Sequence, residues 1–302
     1  MRIAVLGAGS WGTTLAQLAT SLDHRVQLWS RTGPLALSAV LADAQVVLSC
    51  LPMRAVAGVI EQVAAAGLPP GAILVNTTKG LDATARPASQ LWRSAFPDWP
   101  LVVLSGPNLA AEVRAGLPAA TVVASASPEA ARRIQQCFAS ERFRVYTSGD
   151  QLGVELGGVL KNVVAIAAGV SDALGLGANA KAALITRGLA EIIRVGTHWG
   201  AQAETFYGLS GLGDLLTTCN SALSRNYQVG FGLGEGRTLS DILAQLVGTA
   251  EGVNTASILA DYARRVDLEV PITDQVCALL GGERPPQVAL AALMSRRLKD
   301  ES

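Results

Sequence analysis

The chain has 302 residues and a formal net charge of +0, with 24 Lys and Arg balanced by 24 Asp and Glu. Half of the residues are hydrophobic, enough for the core of one large domain or two ordinary ones. The balanced charge argues against a nucleic-acid partner, which needs a basic face, and against an anionic membrane surface.

In chain order, strands are predicted at 2–6, 25–29, 45–49, 72–76, 101–104, 119–124 and 142–146, with helical runs such as 11–21, 53–66 and 128–138 between them. Several strands are apolar throughout, as in a parallel sheet covered on both faces. The fold class is therefore α/β: an N-terminal Rossmann-like, doubly wound sheet forming a dinucleotide-binding domain over residues 1–147. From 148 the pattern turns helical, at 154–170, 178–199, 204–207, 240–246, 255–265 and 271–280. This predicts an all-helical substrate and catalytic domain over 148–302, with glycine-rich loops at 208–213 and 230–236. The stretch 154–170 is interrupted by Glu155, Lys161 and Asn162, so a buried helix is expected there and no stable membrane insertion. Cys50, Cys137, Cys219 and Cys277 show neither a CxxC pair nor metal-ligand spacing. They read as reduced thiols in a cytoplasmic protein without a metal. The apolar opening at 3–6 is too short for a signal peptide. The sequence leaves the oligomeric state open, a homodimer included.

The first strand runs directly into Gly7-Ala8-Gly9-Ser10-Trp11-Gly12 and then a helix. Gly7 permits the tight turn, Gly9 lets a pyrophosphate approach the backbone, and Gly12 allows close packing of helix on strand. The strand–loop–helix context makes this a dinucleotide site. The second strand ends beside Arg31, where an NAD site usually carries an acid for the ribose hydroxyls. Arg31 can instead receive a 2′-phosphate, so the cofactor is NADP or NAD, with NADP favoured.

Lysine is scarce, at Lys79, Lys161, Lys181 and Lys299, while generic positive charge is written as Arg. Lys79 follows a strand and faces the cleft expected beyond the strand ends. The loop Ser105-Gly106-Pro107-Asn108 enters the same crevice. Lys161 lies in an apolar helical run, where burial makes an ammonium a usable general acid or base, although a snorkelling lysine is the competing reading. His24 and His198 have no catalytic setting. Asp214 follows a glycine loop. Ser224-Arg225-Asn226 at a helix start suits a phosphate, yet equally suits an N-cap beside a surface Arg, and the residues alone leave this open.

These motifs together resemble the bacterial-type NAD(P)-dependent glycerol-3-phosphate dehydrogenases. The matching stretches are GAGSWGTTLA (7–16), TTKGL (77–81), SGPNLAAEV (105–113), GLPAA (116–120), the long run from ELGGVLKNVVAIAAG to GANAKAALITRGLAE (155–191), GLSGLGDLLTTC (208–219), SRN (224–226), EGVNT (251–255) and PIT (271–273). The resemblance implies reduction of dihydroxyacetone phosphate to sn-glycerol 3-phosphate for glycerophospholipid biosynthesis. It implies Lys161 as general acid/base and Lys79 as a second active-site lysine near both substrate and nicotinamide. Gly106 and Asn108 fall in the family's substrate loop, and Asp214, Ser224, Arg225 and Asn226 in its substrate set, the last three at the phosphate. Ser10, Trp11, Arg31, Ala110, Arg225, Thr249 and Glu251 match cofactor contacts. Two departures stand out. The segment 31–44 is shorter than the family's usual one, and Asn108 occupies a position usually held by Thr or Ser.

Overall fold

Apolar strands without alternation need cover on both faces, and the sheet of this computed structural model, which describes residues 1–295, supplies it. The strands are β1 (Arg2–Leu6), β2 (Arg25–Trp29), β3 (Val46–Ser49), β4 (Ile73–Asn76), β5 (Leu101–Ser105), β6 (Ala119–Ala124) and β7 (Phe143–Ser148). They form one sheet in the order β2-β1-β3-β4-β5-β6-β7. The helices α1 (Ser10–Ser21), α2 (Leu37–Leu41), α3 (Met53–Ala66), α4 (Ala88–Ala95), α5 (Ala110–Arg114) and α6 (Pro128–Phe138) accompany it. Ala4, Leu6, Val47 and Leu74 pack under α3 and α4, around Val56, Ile60 and Trp92. Ile3, Val5, Leu48 and Val75 point the other way, against Leu15 of α1 and Ile134 and Phe138 of α6. The edge strands β2 and β7 alternate in burial because one face of each is covered and the other is more open to solvent.

The strand order reverses at β1, between β2 and β3, which is the switch point where α/β sheets bind ligands. One correction concerns strand direction. The sheet is parallel from β2 through β5, but β6 runs antiparallel to β5, and β7 is parallel to β6. The connection after β5 carries only the five-residue α5, not a full crossover helix, so it returns β6 in the opposite sense.

The remaining helices are α7 (Gln151–Ala173), α8 (Gly177–His198), α9 (Asp214–Cys219), α10 (Arg225–Gly234), α11 (Leu239–Gln245), α12 (Glu251–Arg265), α13 (Pro271–Leu280) and α14 (Pro286–Met294). By length and composition α7 could cross a membrane, but 94% of its apolar window is buried within the protein. It is a core helix. Strand gives way to helix after Ser148, and the chain forms two compact units. One unit comprises Met1–Val159 with Gly196–Thr217, and the other Leu160–Val195 with the chain from Thr218 onward. Glu191 of α8 stitches the second unit: its buried carboxylate accepts from the backbone N–H of Ile272 and Thr273 and from the Thr273 hydroxyl, capping α13.

Neither glycine-rich stretch is a simple loop. Residues Leu209–Gly213 form a π-helical turn, and α10 runs through Gly230 and Gly232 to Gly234. Here glycine serves contact, not turning. A Cβ at Gly230 would lie 1.8 Å from the Ile166 carbonyl oxygen, and one at Gly169 would lie 2.2 Å from that of Tyr227. The backbones of α7 and α10 touch, and only glycine allows it. Gly230→Ala should therefore destabilise the fold by about 1–3 kcal/mol or more. Gly58→Ala on α3, where a Cβ meets nothing within 4 Å, should stabilise it by roughly 0.5–1 kcal/mol. Denaturant unfolding of the two variants measures both signs.

Candidate active site

The glycine loop is built by contact as much as by conformation. Gly7 has φ +112°, and a Cβ there would sit 2.6 Å from the Cys50 carbonyl oxygen. A Cβ at Gly12 would sit 1.9 Å from the Gly7 carbonyl oxygen, so α1 presses onto the turn it follows. Gly9 is the N-cap of α1, exposed and extended, and a Cβ there meets nothing within 4 Å. No side chain caps the helix and no acid lies in its first turn. Ser10 and Trp11 open that turn. Free backbone donors, the helix dipole and open space at Gly9 fit a dinucleotide pyrophosphate. Arg31 is exposed just beyond β2, with no acidic residue between Trp29 and Ala42. Ala110 begins α5, and its carbonyl accepts from the Thr14 hydroxyl of α1 at 3.4 Å. Burial pushes the Cys50 thiol beside this loop up to about 12, which keeps it neutral.

At the end of β4, buried side chains grip the chain that presents Lys79. The Thr77 hydroxyl donates to the Ser49 carbonyl at 2.9 Å and the Thr78 hydroxyl to the Leu51 carbonyl at 2.8 Å. The Lys79 ammonium then donates to Asp214 Oδ2 at 2.6 Å and to the Gly106 carbonyl at 3.3 Å. The Asp214 side chain is 3% exposed and that of Lys79 25%, so this ion pair is only partly screened by water. Asn108 donates to the Ala120 carbonyl at 2.8 Å, which ties the substrate-loop candidate to β6. Its Oδ1 and the Ser105 hydroxyl are buried with no hydrogen-bond partner among the described residues. A Cβ at Gly158 would meet that hydroxyl at 2.5 Å and Lys79 Cδ and Cε at 3.3 Å.

In the second unit Lys161 is 6% exposed, so it does not snorkel to solvent, and it donates to the Thr218 hydroxyl at 2.5 Å. The next residue, Asn162, accepts from Asn226 Nδ2 at 2.9 Å, and Asn226 Oδ1 accepts from the Gly252 N–H at 2.9 Å. These bonds join α7, the start of α10 and the start of α12. Ser224 is the N-cap of α10, accepting from the Tyr227 N–H. A Cβ at Gly248 would lie 2.7 Å from Arg225 Cζ, so the turn leading to Thr249 and Glu251 rests on the guanidinium. Arg225, Thr249 and Glu251 thus share one corner.

Family models cover most of the chain. The model described as NAD-dependent glycerol-3-phosphate dehydrogenase C-terminus matches residues 150–291, and its N-terminal counterpart matches 2–38 and 32–131. A relative from Gloeobacter violaceus, named glycerol-3-phosphate dehydrogenase [NAD(P)+], is 76% identical over 302 residues, covering 100% of this chain and 99% of the relative. One of the same name from Synechococcus sp. (strain JA-3-3Ab) is 59% identical, covering 99% and 97%. The crystal structure of a glycerol-3-phosphate dehydrogenase from Coxiella burnetii superposes with a TM-score of 0.93 at 35% identity, over 97% of this chain and 98% of that one. The chain belongs to the NAD-dependent glycerol-3-phosphate dehydrogenase family.

For a member of this family, the short segment 31–44 is no local damage. The Gloeobacter alignment is 302 residues long over a chain of 302, which leaves no room for an insertion there. The structure joins Lys79 to Gly106 and Asp214, and separately joins Lys161 to Thr218 and Arg225 to Gly248. Sequence reasoning missed Thr218 and Glu155. Thr218 lies inside a matching stretch, but nothing local shows that its hydroxyl meets Lys161. Glu155 looked like a mere interruption of an apolar run. Its buried carboxyl accepts from Asn76 Nδ2 at 2.8 Å and from the Ser89 N–H at 2.9 Å, and it pairs with no cation among the described residues.

Burial pushes the Glu155 carboxyl up to about 7, against the hydrogen bonds from Ser89 that pull it down. The folded protein holds this proton more tightly than the unfolded chain does. Its contribution to stability is therefore complete below about pH 4.5 and is lost as pH rises through about 7. Thermal unfolding between pH 5 and 8 should show that loss, on the order of 2–4 kcal/mol, in the wild type. Glu155→Gln should flatten the slope, and parallel slopes would contradict the assignment.

Proposed function

We infer that the chain is an NAD(P)-dependent glycerol-3-phosphate dehydrogenase. It reduces dihydroxyacetone phosphate to sn-glycerol 3-phosphate, reversibly, and feeds glycerophospholipid synthesis. The observation that carries the reading is a pair of buried or half-buried lysines, each held by an oxygen partner, in a chain of this family. The four cysteines are free thiols, which suits a cytoplasmic setting.

Gly7, Gly9, Ser10, Trp11 and Gly12 would hold the pyrophosphate end of the cofactor, with Ala110 beside them. Arg31 would take a 2′-phosphate, which favours NADP. Lys79, Arg225, Thr249 and Glu251 complete the cofactor set. When bound, the reduced nicotinamide supplies a hydride to the ketone carbon. The alkoxide oxygen that forms needs one proton, and the Lys161 ammonium delivers it. The Thr218 hydroxyl aims that ammonium. The family motif gives Lys79 the part of stabilising developing negative charge, and Asp214 fixes the Lys79 head. Gly106 and Asn108 face the substrate carbon chain. Ser224, Arg225 and Asn226 hold the substrate phosphate, with Arg225 supplying a guanidinium fork at a helix N-terminus.

Following NADPH oxidation optically with dihydroxyacetone phosphate tests the reaction. Lys161→Ala should lower kcat by roughly 10²- to 10⁴-fold while NADPH still binds. Arg225→Ala should chiefly raise KM for the phosphorylated ketone, by about 10- to 100-fold. A Lys161→Ala enzyme with near-normal turnover would remove the proton donor from this scheme. Arg31→Ala should lower the NADPH-to-NADH ratio of kcat/KM, and an unchanged ratio would show that Arg31 does not read the 2′-phosphate.

A further inference from the structure

We propose that Glu155 is a positioning residue for Lys79, acting through the side-chain amide of Asn76; this rests on the reading of Lys79 as a catalytic group. Glu155 is 2% exposed and Asn76 0%. Glu155 Oε1 accepts from Asn76 Nδ2 and from the Ser89 N–H, and Oε2 accepts from the Ser89 hydroxyl. The Asn76 amide in turn grips the backbone of Thr78: Oδ1 accepts from its N–H at 3.2 Å, and Nδ2 reaches its carbonyl at 3.5 Å. Lys79 is the next residue.

A carboxyl buried without a cation is a costly way to fill space, because an apolar side chain would do it without the loss of hydration. What the carboxyl adds is direction. An amide can turn over, exchanging its oxygen and nitrogen, and only an acceptor on the far side tells Asn76 which way to face. With Glu155 there, Nδ2 is drawn away and Oδ1 is left for the Thr78 N–H. The Ser89 bonds fix the carboxyl itself, since Ser89 lies in the first turn of α4, whose N-cap, Pro87, offers no side-chain acceptor. Glu155 and Gly158 lie one turn apart on α7. Gly158 leaves the space along which the Lys79 stem runs, and Glu155 fixes the backbone from which that stem starts. One helix face thus sets both the origin and the path of the Lys79 side chain, with Asp214 holding its head.

Turnover of dihydroxyacetone phosphate with NADPH should be compared for the wild type, Lys79→Ala, Glu155→Ala, Glu155→Gln and the Lys79→Ala/Glu155→Ala double variant. Glu155→Ala should lower kcat by roughly 10- to 100-fold, the cost of a misplaced group. Glu155→Gln, whose amide oxygen still accepts from Asn76 and Ser89, should stay within about threefold of the wild type. In the Lys79→Ala background Glu155→Ala should have no further effect, because both act through one group. Should Glu155→Ala fail to fold, Asn76→Ala cuts the same link and should lower kcat by a comparable factor. A double variant slower than Lys79→Ala by the full Glu155 factor would overturn the proposal, as would Glu155→Ala or Asn76→Ala turning over like the wild type. Wild-type failure to turn over, or Lys79→Ala at full rate, would overturn the reading of Lys79 itself and this link with it.

Discussion

An ammonium taken out of water needs acceptors, or it gives up its proton. That requirement organises the neighbourhood of both site lysines. Lys79 meets a nearly fully buried carboxylate at 2.6 Å, and the buried Lys161 meets the Thr218 hydroxyl. Leaving a charge without acceptors in such places costs several kcal/mol, and Asp214 and Thr218 are among the groups that meet this need. The same partners hold each nitrogen in one place, which is what the proposed proton delivery and charge stabilisation require.

Close backbone approach is the second constraint. Gly12 on Gly7, Gly158 on the Ser105 hydroxyl, Gly230 on Ile166 and Gly248 on the Arg225 guanidinium are all positions where a single methyl group would collide. Each lies next to a residue of the proposed chemistry or on the helix that carries it. The glycines therefore do not loosen the molecule. They let rigid elements meet closely enough for side chains to be aimed with little freedom left. Within the first unit, α7 uses both devices, with Glu155 and Gly158 one turn apart.

Much of this was legible in the sequence. The seven strands, the glycine loop and the change to helix after Ser148 followed from apolar runs and local periodicity, because a buried parallel strand and a helix leave different repeats in the chain. Lys161 stood out as a charge in an apolar helix, and Arg31 as the wrong sign for an NAD ribose site. Family motifs added the roles proposed for Lys79, Asp214 and Arg225. The helical course of residues 230–234 was not legible, since glycine in a sequence marks a turn and a close contact in the same way.

The sequence by itself determined the elements and the dinucleotide fingerprint and singled out the two lysines as candidates, since all of these depend on residue type and short-range spacing. Only the tertiary structure decided which acceptor each lysine meets, that β6 and β7 reverse direction, and that Glu155 anchors Asn76 rather than merely interrupting a helix. Those facts join residues 79 and 214, 161 and 218, 76 and 155. Hydrogen bonding and packing across such separations are settled by how whole elements stack, and no local pattern in the chain encodes them.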